Sequence, residues 1–281
     1  MLILPAFPST PSIESRAAAL AELRLLLSRH SGRPQTFDAK LSFGLVALDC
    51  HLPNGGLTCG ALHEVVPATQ AALPAAFGFI VAVLARFISP PPPGPRLRAP
   101  ERGREKKIVV VMPDHGSRQC GRLSGHGLNG LGCDPTRVIL VETGHRRDNL
   151  WALLEALRSG APQAVIGMID RLDLKTSQKL HLAATDAGLP LLLLRPSQTL
   201  ESSAAATRWR IGTAAATRDR FSGYKRPRWQ LQLERCRNGR PGEWVVEYDH
   251  VAHCFSLVAA LADQTFSHGA GDQPRRQANR S

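Results

Sequence analysis

From Phe43 to Pro196 the chain alternates short, almost uninterrupted apolar runs with longer segments of helical periodicity, and this alternation limits its fold more than any other feature. Strands are expected at Ala61 to Val66, Lys107 to Met112, Val138 to Glu142, Ala164 to Ile169 and Pro190 to Leu194. Helices are expected at Ala75 to Ile88, Asp148 to Ser159 and Ser177 to Ala187. A strand that is apolar on both faces has no side to give to water, so helices must cover it above and below, and strands joined through helices run parallel. The expectation is therefore an α/β fold: a three-layer core with a mostly parallel sheet over residues 37–200.

The flanks have a different character. Ser12 can cap a helix whose apolar positions Ile13, Ala17, Leu20, Leu23 and Leu27 recur at helical spacing, and it ends near Ser31-Gly32. Residues 1–36 thus read as an N-terminal helix and linker, suited either to self-association, to a groove on a partner, or to covering the edge of its own core. Pro90 to Arg104 is a proline- and arginine-rich insertion with the composition of a surface loop. Beyond Pro196, Trp229 to Leu233 and Trp244 to Tyr248 flank the turn pairs Asn238-Gly239 and Pro241-Gly242, which predicts a small β-hairpin attached to the core in a C-terminal module over residues 201–268. Residues 269–281 lack the apolar content of a packed segment and are expected to be disordered.

With 281 residues, 43% of them hydrophobic, the chain has ample material for a large core. No apolar run reaches the roughly 18 to 20 residues that span a bilayer; the longest, Ala75 to Ile88, holds Arg86. Met1 to Pro11 lacks the charged, apolar and small-residue order of a secretion signal, so a cytoplasmic protein without a membrane contact is expected. The six cysteines (Cys50, Cys59, Cys120, Cys133, Cys236, Cys254) form no Cys-x-x-Cys pair, which argues against a zinc knuckle and a disulfide framework. A net charge of +12 favours polyanionic partners, or reflects an arginine-rich proteome.

The sharpest local pattern is Phe43-Gly44, Leu48-Asp49, Leu52-Pro53-Asn54-Gly55-Gly56-Leu57, Gly60 and Ala61-Leu62-His63-Glu64-Val65, which resembles the lead-in to a RecA-family core. In that family a phosphate-cradling loop and a helix follow the first core strand. The matching stretch here is Pro67-Ala68-Thr69-Gln70-Ala71-Ala72-Leu73-Pro74. A phosphate loop needs glycines that let backbone N–H groups approach, a lysine to offset charge and a hydroxyl for magnesium. Pro67 and Ala72 stand where the two glycines would be, Leu73 replaces the lysine and Pro74 the hydroxyl residue, so the loop is degenerate and no nucleotide cofactor is expected. Asp170 closes the fourth strand where a magnesium-organising acid would sit, and reads as a strand-end cap or a vestige of such a site; Glu64 reads as a strand-end or surface acid.

Together with Ser203-Ala204-Ala205-Ala206-Thr207-Arg208-Trp209-Arg210 and the run Pro227 to Gly242, this loop makes the chain resemble the ImuA family along nearly its whole length. The resemblance implies a RecA-related accessory factor of damage-induced mutagenesis in the SOS response. It also implies work beside an ImuB-like partner, an inactive Y-family polymerase homologue, and, indirectly, beside an error-prone replicative-type DNA polymerase in translesion synthesis. Cell-division inhibitors of the SulA group share a RecA-like core without nucleotide chemistry but are shorter and lack the arginine- and tryptophan-bearing end. A RecA-like ATPase with an atypical loop is the alternative from the enzyme class; the degenerate loop points instead to a protein that is not an enzyme.

Between Arg208 and Arg240 ten basic residues face two acids and are interleaved with aromatic residues. Arginine releases counterions from phosphates and an aromatic face stacks on an unpaired base, so Arg208, Trp209, Arg210, Lys225, Arg226, Arg228, Trp229, Arg235 and Arg237 form the candidate contact to DNA or to a partner. The other reading has the tryptophans packing the hairpin on the core while the arginines cover acids. His63-Glu64 lacks the second histidine of a zinc-protease helix, Ser124 lacks the spacing of a nucleophile elbow, and Cys59 with His63 gives no four-ligand set, so no catalytic or metal site is expected.

Overall fold

A computed structural model describes residues 40–88, 107–114, 116, 121–198, 201–215 and 226–258. The N-terminal helix, the proline-rich insertion, Lys225 and the 269–281 tail lie outside the described residues. The described chain opens with a short antiparallel pair, β1 (Lys40–Leu41) and β2 (Leu57–Thr58), which encloses the one-turn helix α1 (Val46–Asp49). The core follows as β3 (Leu62–Pro67), α2 (Leu73–Ile88), β4 (Ile108–Pro113), α3 (Gly125–Gly130), β5 (Val138–Thr143), α4 (Arg146–Ser159), β6 (Ala164–Met168), α5 (Leu174–Ala187) and β7 (Leu191–Leu194). The last strands are β8 (Thr207–Thr213), β9 (Arg228–Cys236), β10 (Gly242–Asp249) and β11 (Cys254–Leu257).

Nine of these strands form one sheet in the order β11-β10-β9-β8-β3-β7-β6-β4-β5. From β8 to β5 every neighbour runs parallel, and β9, β10 and β11 extend the sheet antiparallel beyond β8. On one face Phe79, Ile80 and Leu84 of α2 pack against Val110, Ile166, Leu192 and the aromatic residues of the last strands. On the other, Leu153 and Leu157 of α4 and Leu180 and Ala184 of α5 cover Leu62, Val165, Leu191 and Leu193. This is the mostly parallel three-layer α/β core that the alternation implied, with the C-terminal hairpin continuing its sheet.

The core helix corrects one expectation. With the turn that precedes it, the helical stretch Gln70–Ile88 is long and apolar enough by length and composition to cross a membrane. Its apolarity has another cause: Leu73, Ala76, Phe79, Ile80, Val83 and Leu84 are all buried, because the helix lies between the sheet and the loops that cover it, and a helix enclosed on all sides is apolar all round. Its far end is tied by Arg86, which donates to the carbonyls of Ser42 (3.1 Å) and His253 (2.8 Å). Gly44 has a φ of +71° and passes so close to the Arg86 guanidinium that a Cβ there would collide with it, which accounts for the glycine after Phe43. Asp49 completes this lead-in by accepting from the backbone N–H groups of Phe43, Gly44 and Leu45.

Two strands of the nine-stranded sheet were not legible. In β8 the order Thr207-Arg208-Trp209-Arg210-Ile211 puts an arginine at every second position, and only pairing with β3 shows that the arginines take one face while Trp209 and Ile211 enter the core. The four-residue β11 is too short to carry a pattern, and its Phe255 packs on Tyr248 with ring centroids 4.7 Å apart.

His63, in β3, is 1% exposed and shares its ring nitrogens between the Thr207 hydroxyl and the Thr58 carbonyl, each at 2.9 Å. Burial pushes its pKa down to about 4, against the opposing pull of the Thr58 bond. The unfolded chain therefore binds a proton below about pH 6.5 that the native chain refuses, so stability is complete above that pH and falls as pH drops toward about 4, by up to on the order of 3 kcal/mol. Urea midpoints are expected to be lower at about pH 5 than at about pH 7, and His63→Gln should flatten this dependence. Equal slopes in the two proteins would count against the assignment.

Candidate functional site

The turn after β3, where a phosphate loop would lie, is closed upon the protein itself. Pro67 ends the strand buried, and the Ala68 N–H donates to the Ile211 carbonyl at 2.7 Å. Gln70–Ala72 then winds as a single 3-10 turn that runs directly into α2. Within it the Ala72 N–H donates to the Thr69 carbonyl (3.0 Å) and the Leu73 N–H to the Gln70 carbonyl. Leu73 is 1% exposed and belongs to the core cluster, and Pro74 has no N–H to offer. A phosphate is held by several N–H groups converging on it beside a cation. Here the donors of Ala68, Ala72 and Leu73 are turned onto carbonyls, Pro67 and Pro74 have none, and a buried alkyl group stands at the lysine position.

Asp170 is exposed past the end of β6, on the lining of a cavity of about 200 Å³ at the carboxyl ends of β4, β5 and β6. Pro67, Ala72, Leu73 and Pro74 do not line that cavity, so Asp170 and the Pro67 to Pro74 turn do not form one site.

Glu64 corrects the expectation of a surface acid. It is 0% exposed in the central strand, where Arg208 donates to its Oε2 at 2.8 Å and Arg195 stands 3.7 Å from its Oε1. Arg195, 1% exposed at the end of β7, also pairs with Glu201 at 2.6 Å and donates to the Ile169 carbonyl at 3.0 Å. Burial lowers the pKa of the Arg195 guanidinium, opposed by the two carboxylates beside it. Sequence reasoning missed Arg195 and Glu201. The available signal was an ionisable residue inside an apolar strand, since a buried charge requires a partner.

The aromatic half of the proposed DNA contact is also corrected. Trp209 is 1% exposed and Trp229 3%, so neither can stack on a base. The Trp209 indole N–H donates to the Thr207 hydroxyl (3.0 Å) and that of Trp229 to the Ala75 carbonyl of α2 (2.9 Å). Trp209 packs on Phe43 (5.4 Å between centroids) and Trp229 on Phe79 (5.8 Å), which fastens β8 and β9 to the core helix. The arginines alternate onto the opposite, open face, mostly in pairs. Arg210 bonds Glu234, Arg228 bonds Glu247 (2.6 Å), and Arg226 bonds Asp249 (2.6 Å). Arg235 donates to the carbonyls of Ser203 (2.8 Å) and Ala205 (2.9 Å), and Arg237 to that of Ala204 (3.4 Å). Arg226, Arg235 and Arg237 are the exposed members, whereas Arg208 is only partly exposed and bound to Glu64. Among the described residues no three His, Cys, Asp or Glu side chains converge as metal ligands.

No protein-family model matches the chain. Two curated relatives, each called Protein ImuA, come from Caulobacter vibrioides strains NA1000 / CB15N and ATCC 19089 / CIP 103742 / CB 15. Each is 32% identical over 241 residues, which span 79% of this chain and 90% of the relative. Among solved structures, the crystal structure of the RadB recombinase aligns over 78% of this chain and 99% of its own, with a TM-score of 0.49 and 15% identity.

Trp229→Ala is expected to lower unfolding stability by roughly 3 to 5 kcal/mol, the cost of removing a buried aromatic side chain, while leaving single-strand DNA affinity per folded molecule unchanged. Denaturant titration and fluorescence anisotropy measure the two effects. Loss of affinity without loss of stability would restore the stacking role.

Proposed function

The chain belongs to the ImuA family, and from that premise we propose that it is a non-catalytic accessory protein of an error-prone translesion synthesis complex in the SOS response to DNA damage. Its direct partner is an ImuB-like inactive Y-family polymerase homologue, through which it serves an error-prone replicative-type polymerase; it works in the cytoplasm. The observation that carries the non-catalytic part is the turn Pro67 to Pro74, whose N–H groups close on Thr69, Gln70 and Ile211 and whose lysine position holds the buried Leu73. Without converging donors and a cation, a triphosphate loses the interactions that position and stabilise it for transfer.

Direct DNA contact by the C-terminal strands rests, on this reading, on surface charge alone. Arg226, Arg235, Arg237 and Arg240 are exposed cations of that segment, and an arginine that meets a phosphate contributes affinity without reading sequence.

Equilibrium binding of labelled ATP with magnesium is expected to give no saturable uptake at millimolar nucleotide and no turnover. Saturable binding coupled to hydrolysis would establish the enzyme reading instead. Co-purification of the full chain with the ImuB-like protein of the same genome is expected to give a stable complex, and deletion of this chain to abolish damage-induced mutagenesis. Filamentation on overproduction with mutagenesis intact would point to a division inhibitor and overturn the proposal.

A further inference from the structure

We propose that two copies of this chain join edge to edge through β5, antiparallel about a two-fold axis, so that their nine-stranded sheets become continuous. β5 has the composition of an interior strand in the position of an outer one. Its centre, Val138-Ile139-Leu140-Val141, is apolar and branched throughout, and it pairs with β4 alone at the end of the sheet order. Parallel strands of that composition are normally covered on both faces and flanked by others. Here Ile139 is 48% exposed and Leu140 38%, whereas every residue of β6 and β7 is buried.

An outer strand is ordinarily kept from further pairing by shortness, a bulge, or a lysine or proline within it. β5 has none of these: its six residues run in unbroken register along β4, and neither lysine nor proline interrupts them. Among the described residues no strand and no loop backbone bonds its outer side. At the opposite edge of the sheet β11 is only four residues long. Both faces of β5 are apolar. Val138 packs with the cluster around α2 and Val141 with the cluster around α4, so Leu140 and Ile139 extend these two layers outward, one on each face. A second sheet edge continues both layers at once, which a helix laid on one face would not.

Charge favours a second copy in the antiparallel sense. The start of β5 is basic, with Arg137 and Lys107 beside Asp134. The other end is acidic: Glu142, Asp114 and Asp148 stand against Arg146 and Arg147, and Asp173 beyond them adds to the acidic side. Glu155 and Arg158 near the end of α4 cancel in an ion pair, and the neighbours Asp170 and Arg171 balance one another. Antiparallel pairing brings the basic start of each copy to the acidic end of the other, and a parallel neighbour would set like ends together. Such rim charges fix orientation, while apolar cross-strand pairs supply the affinity. A two-fold axis normal to the sheet sets opposite one another only residues of the same face, so it passes beside Ile139 or Leu140.

Sedimentation of the full chain from nanomolar to high micromolar concentration is expected to show a reversible monomer–dimer equilibrium. Leu140→Lys puts like charges near the axis at an exposed position and should raise the dissociation constant by about tenfold or more, with the unfolding midpoint of the monomer kept. Ile139→Lys repeats the test from the other face. At least one of Ile139→Cys and Leu140→Cys should give a dimer linked through that residue when treated with oxidised glutathione, as mapped by peptide mass. A monomer at every concentration, a dimer unaffected by either lysine, or no link at either cysteine overturns the proposal. A dimer lost on joint Leu20→Lys and Leu23→Lys but kept in Leu140→Lys would assign self-association to the N-terminal segment. A chain that is always monomeric and loses its ImuB-like partner on Leu140→Lys would assign the edge to a partner strand. Either result overturns pairing through β5 and leaves the accessory role standing.

Discussion

Glu64 carries a carboxylate into the middle of β3, where no water reaches it, and the sheet is arranged around that charge. Arg195 leaves β7 on one side and Arg208 lies opposite Glu64 in β8 on the other, so the acid is held between the strands that flank it. Removing one partner of such a buried pair costs about 3 to 5 kcal/mol, because the other charge is left without compensation. The pair also fixes register. A slip of β8 by one residue would bring Trp209 to Glu64 and turn every core side chain of the strand to the open face.

Sequence patterning was informative where a side chain's environment follows from its neighbours in the chain. The strands β3 to β7 and the helices α2, α4 and α5 lie within a few residues of their expected bounds, because apolar runs and 3.6-residue periods are local properties. What the sequence left open was which face of a strand meets the core. Arg208 and Arg210 made β8 read as a charged surface segment, yet their alternation with Trp209 and Ile211 is the period of a strand covered on one side only. Trp209 and Trp229 read either as platforms for bases or as packing of the hairpin on the core, and pairing decides for the core by putting the basic residues on the other face.

The closed turn at Pro67 to Pro74 and the C-terminal strands sustain one another. The Ala68 N–H is bonded to Ile211 of β8, and the indole of Trp229 in β9 holds the Ala75 carbonyl in the first turn of α2. A turn that embraced a phosphate would have to free Ala68 and shift the start of the helix, which would strain both links to the strands beyond. The lack of a lysine and glycines is therefore only part of the difference from a phosphate loop. With Leu73 in the core and Ala68 bonded to β8, the segment is a joint between two halves of the sheet. Restoring glycine and lysine at Ala72 and Leu73 alone would expose a cavity in the core while leaving Ala68 engaged, so the binding geometry would still be absent.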